Sequence, residues 1–89
     1  MLDEYNSMKE TIQDIIYKAI DHKGTEYVLD RVDKLYELTT VRVVLNDLGF
    51  SFCRRKTYYN SVVELYRYMN KRIIVKLDLE TFNIYITAK

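Results

Sequence analysis

The hydrophobic period of this chain changes at Gly49, and that change constrains the fold more than any other feature. Upstream, apolar residues recur every three or four positions; downstream they alternate one by one. The first period suits a helix with one buried stripe, the second a strand with one buried face.

Over Asp3 to His22 the stripe is Tyr5, Met8, Ile12, Ile15, Ile16 and Ala19. Ser7 with Glu10 has capping-box spacing, and Asp3 is the alternative N-cap. Lys18, His22 and Lys23 suit the negative end of a helix, and Gly24 suits its stop. Thr25 then reads as the N-cap of a second helix. Its series is Val28, Val32, Leu35, Leu38, Val41, Leu45 and Leu48, ending at Gly49. The β-branched run from Thr39 to Val44 is weak helix material, so the series is one long helix or two hinged near Thr39.

Beyond Gly49, short runs of Phe, Tyr, Ile and Val are broken near Asn60, Asn70 and Glu80-Thr81. Ile73, Val75, Leu77 and Leu79 alternate with Ile74, Lys76, Asp78 and Glu80; Phe82, Ile84 and Ile86 alternate with Asn83, Tyr85 and Thr87. Evenly spaced breaks between such runs predict an antiparallel meander. Residues 61–70 also fit a helix capped by Asn60, but their Val and Tyr content favours a strand. The expected class is therefore α+β, with an N-terminal α-hairpin of two or three helices on a three- or four-stranded antiparallel meander. At 89 residues the chain suits one such domain, 1–89.

The stretch FSFCRRKTYY, residues 50–59, is the most chemically loaded. On a plain strand, Arg54 and Lys56 share a face with Phe50, Phe52 and Tyr58, while Arg55 points away with Cys53 and Tyr59. The charge distribution supports interest in this half. Residues 1–48 carry 6 Lys/Arg against 10 Asp/Glu, a balance of −4, and residues 49–89 carry 8 against 3, a balance of +5. Those halves neutralise each other within the fold, or the basic half faces an anionic partner.

Catalytic inventory is thin. His22 is the sole histidine, at a helix end, and Cys53 the sole cysteine. Cys53 is expected to be a buried, inert thiol despite neighbouring arginines. Asp30, Asp33 and Glu37 read as a solvated helix face, and one His with one Cys cannot hold a structural zinc. No phosphate loop or dinucleotide fingerprint is present. A non-enzymatic chain without cofactor or metal is expected. The lone cysteine, the lack of an apolar span of ~20 residues and the acidic N-terminus point to a cytoplasmic, non-membrane protein.

Binding remains. Strands at 62–68, 72–78 and 82–88 would present Tyr66, Tyr68, Arg72, Ile74, Lys76 and Tyr85 opposite the helices. With Arg54, Arg55, Lys56 and Tyr58 these form the candidate partner-binding set. Tyr and Arg suit protein interfaces, stacked bases, or an ordinary wet sheet face whose rings pack across strands. The preferred reading is a small protein that binds and regulates or inhibits another protein, of a kind expected in a phage or mobile element. The alternative is a nucleic-acid-binding regulator, through the sheet face or as a winged helix with 60–69 as recognition helix and 72–87 as wing. Homodimerisation, by opposite charges or by paired edge strands, is a further expectation.

Overall fold

The computed structural model describes residues 2–31 and 36–89. Its elements are α1 (Leu2–Asp21), β1 (Glu26–Leu29), α2 (Leu38–Asp47), β2 (Ser51–Thr57), β3 (Ser61–Tyr68), β4 (Lys71–Asp78) and β5 (Ile84–Ala88). The strands form one antiparallel sheet in the order β1-β5-β4-β3-β2. The α+β class and the four-stranded meander, β2 to β5, are as the alternation implies. Residues 61–68 are strand, so the winged-helix alternative, which needs a helix there, is overturned.

Both helices lie on one side of the sheet. Ile12, Ile16 and Ala19 of α1 and Val41, Val44 and Leu45 of α2 are buried, together with Leu29, Ile73, Val75, Ile84 and Ile86 of the strands. Met8 and Ile15 are partly buried against this core, whereas Tyr5 stays exposed. Ser7 lies inside the helix, where its carbonyl accepts from the Thr11 hydroxyl at 3.0 Å, so it is not the cap. The side chain of Asp3, the alternative cap, lies outside the described residues. Gly24 sits at φ +88 and its N–H donates to the Ala88 carbonyl at 2.9 Å, fastening the end of α1 to β5.

The second helix is shorter than the spacing implies. Thr25 caps nothing, because residues 26–29 form β1 along the outer edge of β5, with Leu29 opposite Ile84 and Tyr27 opposite Ile86. The physical reason is that β5 would otherwise expose a row of unpaired backbone groups, and EYVL is good strand material. Val28 consequently points away from the helices and is 45% exposed. Of the acidic trio, Asp30 follows a strand, Glu37 precedes α2, and Asp33 lies outside the described residues.

Helix α2 forms in spite of its Thr and Val content, because Val41, Val44 and Leu45 bury one face; tertiary packing outweighs a few tenths of a kcal/mol per residue of propensity. Its end is a Schellman motif. The Gly49 N–H donates to Asn46 O at 3.0 Å and the Phe50 N–H to Leu45 O at 2.9 Å. Gly49 has φ +96, a left-handed conformation that favours glycine, and it packs against the Tyr68 ring with room for a Cβ only in contact at 3.4 Å.

Candidate functional site

Helices cover one face of the sheet, and the register identifies the residues on the other. Directly paired residues share a face. One row across the strands is Arg54, Leu65, Ile74, Thr87 and Glu26, and the next is Lys56, Val63, Lys76, Tyr85 and Val28. Arg67 and Arg72 pair beyond the first row, and the Lys89 N–H donates to the Arg72 carbonyl at 2.9 Å.

This open face has an aliphatic centre and a cationic border. Val63, Leu65 and Ile74 are only partly exposed, whereas Arg54, Lys56, Arg67, Arg72 and Lys89 are exposed. Glu26 and Asp78 are the acids that the register places on this face. The surface is dented by shallow depressions, and Ile74 lines three of them. One is lined by Arg54, Lys56, Tyr58, Val63 and Leu65, and Arg55 reaches its margin. The Lys56 ammonium lies 5.3 Å from the centre of the Tyr58 ring, and Lys76 lies 5.0 Å from that of Tyr85.

Of the sequence-derived site residues, Arg54, Lys56, Tyr58, Arg72, Lys76 and Tyr85 thus gather on or beside the open face. Three do not. Tyr66 is fully buried on the helix side, and Tyr68 is on that side too, edge-on to Phe50 with ring centres 5.7 Å apart. Both were expected opposite the helices; instead Tyr66 shares the phase of Ile73 and Ala88. Arg55 also faces the helices, and the cause is a bulge.

The pairing of β2 with β3 skips Cys53: Phe52 opposes Tyr66, yet Arg54 opposes Leu65. One extra residue reverses the alternation. Phe52 and Arg55 therefore share the helix side, while Arg54 and Lys56 move to the open side. Cys53 is exposed rather than buried, with its thiol 3.6 Å from the Ser51 carbonyl.

The bulge delivers Arg55 to a buried carboxylate that residue patterns did not single out. Glu64 of β3 is fully buried. Its Oε2 accepts from Arg55 Nε at 2.8 Å and from Arg42 Nη2 at 2.6 Å, and its Oε1 accepts from the Tyr66 hydroxyl at 2.5 Å. Arg42, on α2, also donates from Nε to the Tyr66 oxygen at 3.0 Å and lies 4.5 Å from the centre of the Phe52 ring. The clamp joins α2, the edge strand β2 and β3. The available signal was a lone carboxylate at a helix-facing position of SVVELYRY, beside a strand with three cations.

Burial pushes the Glu64 carboxyl up, but the hydrogen bonds from Tyr66 and Arg55 and the charges of Arg42 and Arg55 outweigh it, and the group lies below its usual value. Burial, helped by the hydrogen bond to Glu64, pushes Tyr66 up to about 12. Because the folded-state value is raised, Tyr66 contributes stability that is present below its ordinary 10.0 and lost as pH climbs toward 12. The ultraviolet phenolate signal lost in Tyr66→Phe is therefore expected to develop near pH 12 in the wild type. Development near pH 10 would show that the hydroxyl is not held this way.

No described helix is long and apolar enough to cross a membrane. The chain matches no protein-family model, no curated protein and no solved structure.

Proposed function

We propose that this chain is a binding module that holds another protein on the open face of its sheet and regulates it by occupying it. The observation that carries this reading is the partly exposed aliphatic group Val63, Leu65 and Ile74, bordered by Arg54, Lys56, Arg67, Arg72 and Lys76. An apolar centre with a polar, water-accessible border is the anatomy of a protein interface. Base stacking calls for several aromatic rings, and this face offers Tyr85 within its rows and Tyr58 at its border, while its centre is aliphatic. The aliphatic centre accordingly favours a protein over a nucleic acid.

The test is capture from the cells that make the protein, identification of the captured partner, and rebinding as a purified pair. Ile74→Asp, with an unchanged circular dichroism spectrum, is expected to weaken that rebinding at least tenfold, about 1.4 kcal/mol. Ile74→Thr keeps a β-branched side chain and serves if the aspartate variant unfolds. Undiminished rebinding by a folded Ile74 variant would rule out this face.

A further inference from the structure

Resting on that reading, we infer that the occupant of the open face is an acidic amphipathic helix: one apolar stripe for the aliphatic centre, with Asp and Glu on both flanks. The cations decide its charge. Leu65 is opposed on β2 by Arg54, and Val63 by Lys56. Along the strand direction, Arg67 and Arg72 bound one end of the aliphatic group; toward the other, Lys76 stands opposite Val63 and the Ser61–Asp78 pair follows. Thr87 and Tyr85 form the remaining side. Positive charge thus borders the apolar centre along its β2 side and at its Arg67–Arg72 end, and Lys76 adds a cation beside Val63.

Magnitudes show why charge must select. Even a patch of ~300 Å², the scale of the largest on a typical monomer, contributes only about 7.5 kcal/mol at ~25 cal/mol/Å² when withdrawn from water. Association itself costs about 4–15 kcal/mol. Apolar contact alone leaves the complex weak, and any hydrophobic partner would serve equally. Carboxylates placed over Arg54, Lys56, Arg72 and Lys76 raise the encounter rate and exclude basic or neutral competitors.

Shape decides between a helix and a sheet. The aliphatic group spans two neighbouring strands, ~5 Å apart, and two alternate residues along β3. That strip is narrower than one helix, ~10 Å across, and much narrower than a sheet face. A second copy of this chain is excluded as a face-to-face occupant by the same cations. A two-fold contact would bring two faces with the same cationic border together, with only Glu26 and Asp78 among the described residues of each to oppose Arg54, Lys56, Arg67, Arg72 and Lys76, and like charges juxtaposed at an interface cost several kcal/mol.

The experiment titrates isotopically labelled protein with three probes and follows backbone amide resonances. The first is an Ala-rich peptide of about 18 residues, with Leu at three-and-four spacing and a few Glu on both flanks of that stripe, its helicity checked by circular dichroism. The second replaces every Glu by Lys, and the third is oligothymidylate. The Leu/Glu peptide is expected to move the signals of Val63, Leu65, Ile74 and Lys76. Its affinity is expected to fall roughly tenfold in Arg54→Glu/Lys76→Glu, and to fall with added salt. Equal binding of the Leu/Lys peptide at the same residues would overturn the acidic occupant while leaving a protein-docking face. Tighter binding of oligothymidylate at those residues would overturn both. If no probe moves these signals, the acidic helix is wrong, and the docking reading is then decided by the Ile74 variants.

Discussion

Arg42→Met/Arg55→Met is expected to be the most destabilising change available at the clamp, by about 3–5 kcal/mol at neutral pH, because it strands a buried carboxylate without a cation. The asymmetry of burial drives the expectation. The Glu64 side chain is wholly enclosed, whereas those of Arg42 and Arg55 retain 34% and 50% of their exposure. If Glu64 is replaced by Leu, both guanidinium groups can turn to water, and the cost is expected to stay below about 2 kcal/mol. Against a total stability of roughly 5–15 kcal/mol for a domain, the double arginine variant forfeits a large share.

Acid offers a second signature. The folded-state value of Glu64 is below the usual 4.5, so its contribution is present above pH 4.5 and is lost as pH falls through the lowered value. In the double arginine variant the stranded carboxyl is expected to titrate above its usual value, because burial, the largest influence on it, is then opposed only by the Tyr66 hydrogen bond. Mild acidification should therefore narrow the gap between variant and wild type. Urea midpoints measured from neutral pH down to about pH 4 check both claims.

Ile73→Ala and Ile74→Ala form the second large contrast, since adjacent isoleucines serve opposite faces. Ile73 is fully buried, and its truncation is expected to cost about 2–5 kcal/mol. Ile74 already meets water, and its truncation should cost about 1 kcal/mol or less while reducing partner affinity. Equal losses of stability would mean that the second face is as well packed as the first, and that no open surface exists. Urea unfolding of the two purified variants decides this, provided that their m-values match the wild type.

The parts of this structure that were legible in the sequence are those whose burial is periodic. Ile73, Val75, Ile84 and Ile86 gave β4 and β5 because one buried face writes a period of two. Ile12, Ile16 and Ala19 did the same for α1. Strand β1 was illegible because Val28 happens to continue the three-and-four spacing of the helix that follows. Only its pairing with β5 reveals that EYVL is a strand, and pairing is not local information. The candidate surface was half legible for a related reason. Arg72, Lys76 and Tyr85 lie on strands with unbroken alternation and were placed on the correct face.

Tyr66 was misplaced because tyrosine suits either side of a sheet, and what buries it is a hydroxyl satisfied by Glu64 and Arg42. The bulge at Cys53 was the other obstacle. It exchanges the faces of every later residue on β2, sending Arg55 inward and Arg54 and Lys56 outward. That single register step separates one apparent basic cluster into a structural clamp and part of a binding surface.

Amide shift mapping of the labelled protein with its purified, identified partner tests the central claim most directly. If the open sheet face is the working surface, the perturbed residues will include Val63, Leu65, Ile74, Lys76 and Tyr85, while the outward positions of α1 stay unmoved. Perturbation centred on α1 or α2, with those five residues silent, would contradict it.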